Sequence, residues 1–254
     1  MNWSFQLYSA RDFQPWDGIL EMVSEAGYSE VEGFDGVYGD PRSFRKKMEA
    51  NGLSMPTGHF GIDMLEGDFA RAAEIAGTLG VANIICPFLM PAQRPKDIAG
   101  WRAFGGRLAK IGEAAKKAGF EFGWHNHDYE FGHDYAFGKL PDGSVPMTAI
   151  LEAAPAIGWE IDVAWVLRSG ADPLGWIDRY GKRIAAVHVK DLAPAGENTK
   201  EDGWADVGHG TIDWKAMMKA LREKTPAKIF VMEHDNPSDI GRFARRSIET
   251  ANRL

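Results

Sequence analysis

The sequence lacks several features that would assign it to a class of protein at once. Its 254 residues include one cysteine, Cys86, so no disulfide can form within the chain. No apolar run approaches the roughly 18 residues of a membrane span. Residues 1–5 lack the basic region and apolar stretch that begin a secretory signal. We therefore expect a cytoplasmic protein that has no membrane partner.

An excess of positive charge is also missing, since 29 basic and 36 acidic residues give a formal net charge of −7. Proteins that bind nucleic acids usually carry basic patches, so we expect no nucleic-acid partner. The chain has no Cys-x-x-Cys or His-Glu-x-x-His spacing, no phosphate-binding loop and no Gly-x-Ser-x-Gly turn. Covalent catalysis by serine or cysteine is therefore disfavoured.

One unit repeats along the chain instead, and it consists of a helical pattern, a glycine and an apolar run. Gly27, Gly52, Gly80 and Gly119 each follow a helical pattern, where glycine supplies the left-handed residue that ends a helix. The apolar runs predict strands at residues 3–8, 28–34, 53–60, 83–89, 120–126, 157–163, 184–190 and 228–234. Helices are predicted at residues 14–26, 41–51, 68–79, 96–118, 145–154, 172–180, 213–223 and 238–252.

Eight strands alternating with eight helices predict parallel βαβ units. A doubly wound open sheet is the alternative, but it usually has fewer strands and a glycine-rich turn after the first strand, where this chain has Ser9–Asp12. The chain length is typical of one barrel, about 250 residues. We predict an α/β protein with a single (β/α)8 TIM-barrel domain over residues 1–254, in which the long segments 128–144 and 191–212 are functional loops.

Three of the predicted strands end in a side chain that can bind a metal ion, namely Asp162, His188 and Glu233. The carboxyl ends of barrel strands converge on one face of the fold. A charge that closes an apolar run is costly to bury unless it is paired or bound to a metal. We therefore predict that these residues bind one divalent metal ion, and their mixed nitrogen and oxygen ligands suit Mn²⁺, Mg²⁺, Co²⁺ or Zn²⁺.

Candidate acid/base residues lie at and just beyond the end of the fifth predicted strand. His125 and His127 would share one face of this strand by its period of two, and Glu130 lies beyond it and could fold back. A hydrogen-bonded loop anchor is the structural alternative for these residues. Lys190 shares a face with His188, so it could neutralise an enolate, contact a substrate hydroxyl or form a salt bridge at the rim.

Further residues are predicted to contact a substrate because of their positions near strand ends or in a long loop. For each of them a structural role in the core or at the rim is the alternative. They are Glu32, His59, Trp124, Trp165 and His209.

With these residues, the chain resembles the xylose isomerase-like barrels, a superfamily that includes sugar phosphate isomerases/epimerases, inosose dehydratase, dehydroshikimate dehydratase and endonuclease IV. The resemblance covers essentially the whole chain. It rests on residues 123–131, 160–165, 187–191, 207–214 and 231–235.

The resemblance implies one divalent metal ion bound by Asp162, His188, Glu233 and a fourth ligand. Ketose 3-epimerases have a glutamate on the fifth strand at the position of His125, so the fourth ligand is either His125 or Glu130. Endonuclease IV has a histidine at the position of Trp165. That difference points to one metal ion and a ligand the size of a sugar rather than DNA.

The activity that the resemblance implies is a metal-dependent sugar isomerase or epimerase, which transfers a proton next to a carbonyl through a metal-stabilised enolate. His125, His127 and Lys190 would be the catalytic residues. Because an imidazole can protonate a leaving oxygen, a lyase or dehydratase acting on keto-sugars, 3-keto-glycosides or inosose-type substrates is the alternative. An endonuclease IV-like nuclease and a non-catalytic sugar-binding barrel are less favoured. The expected partner is a small sugar or keto-sugar, and a homo-oligomer is left open.

Overall fold

The computed structural model describes residues 2–132 and 145–254, so most of the predicted loop 128–144 lies outside the described residues. Eight parallel strands close into a barrel in the order β1-β10-β7-β6-β5-β4-β3-β2, which confirms the predicted (β/α)8 fold. These strands are β1 Ser4–Gln6, β2 Glu30–Gly33, β3 Ser54–His59, β4 Asn83–Cys86, β5 Glu121–His125, β6 Gly158–Asp162, β7 Ile184–Val189 and β10 Ile229–Met232. Within the long segment 191–212, β8 Asp191–Leu192 and β9 Trp204–Ala205 form an antiparallel ribbon.

The α-helices surround the barrel, and eight of them coincide with predicted helices to within two residues at each end. Across the described ranges the helices are α1 Trp16–Ala26, α2 Pro41–Ala50, α3 Ile62–Gly67, α4 Phe69–Leu79, α5 Ile98–Lys117, α6 Pro146–Ala153, α7 Val163–Arg168, α8 Pro173–Tyr180, α9 Trp214–Lys224 and α10 Ile240–Ala251. The sequence did not predict α3 and α7. Each has six residues, which is too short to show a helical period.

The helix ends follow from local chemistry. At the start of α2 the carboxylate of Asp40 accepts a hydrogen bond from the Ser43 amide at 3.0 Å, and Pro41 occupies the first turn. Helices α1 and α4 end at Gly27 and Gly80, whose φ angles are +106° and +84°. Residues with side chains rarely adopt this left-handed conformation, which explains the repeated glycine in the sequence.

Strand register places the ligand-type residues side by side at the carboxyl end of the barrel. Asp162 on β6 pairs with His188 on β7, and His125 on β5 pairs with Glu160 on β6. On the opposite face of these strands, Trp124, Ile161 and Val187 are fully buried in the apolar layer.

None of the helices found in residues 2–132 and 145–254 is long and apolar enough to cross a membrane.

Candidate metal centre and active site

A cavity of about 750 Å³ opens at the carboxyl ends of the barrel strands. Small-molecule sites usually have volumes of about 300–1,000 Å³, so the cavity is large enough for a sugar. Its lining includes His59 at the end of β3, His125 at the end of β5, His127, Trp165 on α7 and Glu233 directly after β10. All five were predicted as site residues from the sequence.

The side chains of His125, Asp162, His188 and Glu233 meet at the floor of this cavity. One ligand atom from each lies within 4.8 Å of the others, and all four side chains are buried. His188 Nδ1 lies 2.9 Å from Glu233 Oε2 and 4.0 Å from Asp162 Oδ2. We name these four residues the upper group.

The two carboxylates of the upper group have opposite electrostatics. Burial raises the pKa of Asp162 to about 7, although Lys190 and His188 act against the rise. Burial would also raise the pKa of Glu233, but Lys190 and His188 outweigh it and hold that pKa well below its ordinary value. Asp162 Oδ1 accepts a hydrogen bond from the Trp165 amide at 2.8 Å, whereas Oδ2 is buried without a hydrogen-bond partner among the described residues.

A divalent cation fits this group. The unpartnered oxygen of Asp162 lies beside a second carboxylate and two imidazoles, and a buried polar atom of this kind calls for an ion or another donor. Nitrogen and oxygen ligands together are typical of sites for divalent metals of the first transition row.

Lys190 lies next to this group and is fully buried. Its Nζ is 2.6 Å from Asp235 Oδ1 and 3.1 Å from Glu233 Oε2. Burial alone would lower the pKa of Lys190, but Asp235 and Glu233 raise it above its ordinary value, so the side chain is a cation. The predicted catalytic role of Lys190 stays a prediction, but the side chain lies outside the cavity lining and its charge is paired with two carboxylates, one of which belongs to the upper group.

His127 projects into the cavity between aromatic rings, with centroids 4.9 Å from Phe88 and 5.1 Å from Trp165. Its Nδ1 has no hydrogen-bond partner in the part of the chain that the structure describes. Burial, followed by the charge of Lys190, lowers the pKa of His127 well below its ordinary value. The ring is therefore neutral at neutral pH and can accept a proton.

Glu130 does not join the upper group, which corrects the prediction of Glu130 as a metal ligand. Its Oε1 accepts a hydrogen bond from Trp124 Nε1 at 3.0 Å, and its Oε2 accepts one from the His127 amide at 3.0 Å. These two bonds fix the carboxylate to the end of β5. Neither group of potential metal ligands found in residues 2–132 and 145–254 contains Glu130.

Trp124 was predicted to stack on a sugar ring, and this prediction also needs correction. The side chain is fully buried and packs against Phe104 of α5, with ring centroids 5.1 Å apart. Because side chains alternate along β5, His125 points into the barrel and its neighbour Trp124 points to the helices.

His209 was predicted to contact substrate but lies away from the main cavity. It lines a separate cavity of about 640 Å³ with Asp206, and its Nδ1 is 2.6 Å from Arg246 Nη2 on α10. The Asp191 carboxylate accepts hydrogen bonds from the Gly208 amide at 2.9 Å and the Ile212 amide at 3.1 Å. Those bonds hold the loop against the ribbon and direct His209 toward α10.

Glu32 and His59 belong to a deeper set of polar side chains. Glu32 Oε1 lies 2.7 Å from His188 Nε2 and accepts a hydrogen bond from Gln6 Nε2 at 2.6 Å. His59 Nε2 lies 2.7 Å from Oε2 of Glu160, a fully buried residue. Glu32 is likewise fully buried, so its predicted contact with substrate needs correction, whereas His59 reaches the cavity.

The sequence analysis missed Gln6, Glu160 and Asp235. Alternation along a strand is the signal that could have found Glu160, since it lies two residues before Asp162 on the same face of β6. Asp235 is likewise two residues beyond Glu233. Gln6 carries no comparable signal.

The chain matches a known family over most of its length. Residues 20–253 match the family model described as xylose isomerase-like TIM barrel, and the chain belongs to this family. In a comparison with curated proteins, none matches the sequence.

Solved structures share the fold at low sequence identity. A sugar phosphate isomerase/epimerase from Parabacteroides distasonis superimposes with a TM-score of 0.80 at 22% identity, covering 98% of this chain and 92% of its own. The probable 3-DHS dehydratase AsbF from Bacillus anthracis gives 0.76 at 15% identity and covers 99% of both chains. The IolI protein with a bound zinc atom gives 0.76 at 17% identity, covering 100% of this chain and 96% of its own. These likenesses establish the fold alone.

Proposed function

We propose that this protein is a divalent-metal-dependent sugar isomerase or epimerase, which transfers a proton at a carbon next to a carbonyl. One observation carries the proposal. The upper group lies at the floor of a cavity of about 750 Å³ whose wall holds the neutral imidazole of His127 and the indole of Trp165.

The ion would be held by Asp162, His188, Glu233 and His125. We favour His125 over Glu130 as the fourth ligand because both oxygens of Glu130 are engaged at the end of β5. When bound, a divalent ion such as Mn²⁺, Mg²⁺, Co²⁺ or Zn²⁺ would act as a Lewis acid that stabilises negative charge developing on the substrate oxygen.

His127 is then the residue that accepts and returns the proton. Phe88 and Trp165 restrain its ring and form an apolar wall, which keeps the imidazole neutral before the reaction. A neutral imidazole can take a proton from a carbon acidified by a neighbouring carbonyl, and it becomes an acid once protonated. Return of the proton by His127 to the neighbouring carbon gives isomerisation, whereas epimerisation needs a second group that delivers a proton to the opposite face.

Lys190 supports this chemistry indirectly. Its ion pairs with Glu233 and Asp235 hold Glu233 ionised and oriented toward His188. We therefore propose that Lys190 is a positioning residue rather than a proton donor to substrate.

A lyase or dehydratase is the second candidate, because one acid/base residue on the cavity wall, His127, suits elimination better than epimerisation. An epimerase needs acid/base groups on the two faces of the substrate carbon, whereas elimination needs one base and an acid that protonates the departing oxygen. A histidine that has taken up a proton can perform the second role. Substrates of this kind would be keto-sugars, 3-keto-glycosides or inososes.

Deuterium exchange tests the proposal directly. The protein is loaded with Mn²⁺ and incubated in D₂O with non-phosphorylated ketoses and 3-keto-glycosides, and exchange at the carbon next to the carbonyl is followed by NMR. We expect metal-dependent exchange that His127→Asn abolishes while the variant retains its metal. His209→Asn, the same substitution outside the cavity, is the matched control and should exchange normally.

The products separate the two candidates. Exchange that accompanies a new ketose or aldose supports isomerisation or epimerisation, and an unsaturated product supports elimination. Exchange without product indicates enolisation of a substrate that lacks the right leaving group. No exchange with any of these sugars in the metal-loaded protein would contradict the proposal.

A further inference from the structure

A second cluster of ligand-type atoms lies deeper in the barrel than the upper group. We name it the lower cluster. It comprises Oε1 of Glu32, Nε2 of His59, Nδ1 of His125, Oε2 of Glu160 and Nε2 of His188. Four of its residues (His59, His125, Glu160 and His188) place ligand atoms within 4.8 Å of one another, and Glu32 contacts two of the histidines.

The lower cluster and the upper group share His125 and His188. Glu32, His59 and Glu160 belong only to the lower cluster, and Asp162 and Glu233 belong only to the upper group. Glu160 lies two residues before Asp162 on β6, which is a depth of roughly 6.6 Å along the strand. His188 presents Nδ1 to Glu233 of the upper group and Nε2 to Glu32 of the lower cluster.

The distances in the lower cluster are close to those expected around a metal ion. His59 Nε2 is 2.7 Å from Glu160 Oε2 and 3.1 Å from Glu32 Oε1. His188 Nε2 is 2.7 Å from Glu32 Oε1 and 3.2 Å from Glu160 Oε2. Ligands about 2.1 Å from a common ion are about 3.0–3.4 Å apart, so the two contacts of 2.7 Å would lengthen by a few tenths of an ångström around a bound ion.

In the metal-free protein, two ring protons can satisfy the shortest contacts, one directed from His59 Nε2 to Glu160 Oε2 and one from His188 Nε2 to Glu32 Oε1. An ion bound among the same four atoms would replace these protons. Within the described chain, Glu32 Oε2, Glu160 Oε1 and His125 Nδ1 are buried and have no hydrogen-bond partner. Of these three atoms, His125 Nδ1 belongs to the lower cluster, so one of its nitrogens is free to bind an ion.

We propose that the lower cluster binds a second divalent transition-metal ion, beneath and separate from the upper group. Two ionised carboxylates match the charge of one divalent cation when the imidazoles are neutral, which removes the cost of burying them unpaired. Three imidazoles and two carboxylates favour Zn²⁺, Co²⁺ or Mn²⁺ over Ca²⁺ or Mg²⁺. His59, 8% exposed, lines the cavity and marks the route of entry.

Filling both positions would change the protonation of His125 and His188, which belong to both groups. Each ring would offer one nitrogen to each ion and would release its N–H protons to solvent. The lower ion thereby fixes the orientation of His188 toward the upper group, and it links β2, β3, β5, β6 and β7 at the centre of the barrel.

Metal stoichiometry tests this proposal without any assay of activity. The full-length protein is stripped with a chelator, reloaded with Zn²⁺, passed through a desalting column and analysed by mass spectrometry. We expect two equivalents in the wild type and one in Glu160→Gln. Asp162→Asn, a matched amide substitution in the upper group, should also retain one equivalent, and the double variant should retain none.

One equivalent in the wild type, unchanged in Glu160→Gln, would overturn the proposal and show that protons alone fill the lower cluster. Two equivalents in both proteins would also overturn it, because the second ion would then lie elsewhere. If Glu160→Gln does not fold, His59→Asn provides the same comparison.

Anomalous scattering at the zinc edge from wild-type crystals is an independent test. A peak beside His59 and Glu160 supports the second ion, and a single peak at the upper group rejects it.

Discussion

The inside of the barrel and the layer outside it are built from opposite kinds of side chain. Barrel interiors are usually filled by branched apolar residues. Here the interior instead holds polar side chains no more than 8% exposed, namely Gln6, Glu32, His59, His125, Glu160 and His188. The layer between strands and helices is apolar and buried, and includes Phe5, Val31, Trp124, Ile161 and Val187.

The two regions therefore contribute to different properties, the outer layer to stability and the interior to the chemistry of the site. Burial of apolar surface, at about 25 cal/mol per Å², stabilises the fold in the outer layer. The interior carboxylates and imidazoles contribute little of that kind, because each buried charge needs a partner to offset its desolvation. We therefore expect interior substitutions to change metal binding and turnover, and outer-layer substitutions to change the free energy of unfolding.

The largest expected effect comes from an interior ligand. Glu233→Gln should lower deuterium exchange or turnover on the order of 10³-fold and weaken metal binding, because it removes a charged ligand that supports several kcal/mol of transition-state stabilisation. Calorimetric titration with Mn²⁺ and the exchange assay measure both. Glu21→Gln, an exposed position on α1, is the control. If Glu233→Gln did not fold, the interior side chains would also be required for stability, and the two regions would not differ in the way proposed.

The outer layer should behave in the opposite way. Leu108 on α5 is fully buried, and Leu108→Ala should lower the free energy of unfolding by about 2–5 kcal/mol through lost burial and a cavity. Chemical denaturation measures this change, and exposed Lys110→Ala on the same helix should change it by less than about 0.5 kcal/mol. Metal stoichiometry should be unchanged in both variants. If Leu108→Ala bound less metal, packing in the outer layer would also determine metal binding in the interior.

Trp124 belongs to the apolar outer layer, but its indole N–H donates a hydrogen bond to Glu130 near the site, so Trp124→Phe tests where the two regions meet. The substitution keeps the aromatic packing on Phe104 but removes the indole N–H that Glu130 accepts. We expect a loss of about 1–3 kcal/mol in the free energy of unfolding, since a buried carboxylate oxygen is left without a donor. Metal binding should persist, because Glu130 lies outside the upper group. A variant that is as stable as the wild type would show that water replaces the indole.

Metal binding should also depend on pH. Because the pKa of Asp162 is raised to about 7 in the metal-free protein, the carboxyl holds its proton below that pH and must release it to bind an ion. Below about pH 7, the apparent affinity for Mn²⁺ should therefore increase with pH by as much as about tenfold per pH unit. Above that pH it should level off. In Asp162→Asn, which we expect to keep only the ion of the lower cluster, this component of the pH dependence should be absent. Equal slopes in both proteins would assign the titration to another group.

Much of the fold was predictable because its signals are local. The glycines at helix ends, the Asp40 cap and the alternation of apolar runs with helical patterns are each properties of a few consecutive residues. The helices α3 and α7 escaped prediction because one or two turns leave no period to detect.

The site was predictable only in part. Asp162, His188 and Glu233 could be identified because each closes an apolar run, and the fold brings them together. The roles of Trp124, Lys190 and His209 depend on partners distant in the sequence, such as Phe104 for Trp124 and Arg246 for His209. No local pattern contains those partners.

The sequence by itself determined a barrel with ligand-type side chains at one end, because periodicity and turn chemistry act over a few residues. The tertiary structure decided which of these side chains share a site, that His125 and not Glu130 meets Asp162, and that a lower cluster lies beneath them. The physical reason is strand register and closure. Whether two charges lie 3 Å or 15 Å apart depends on how separate strands pair, and that pairing is fixed by the packing of the whole molecule.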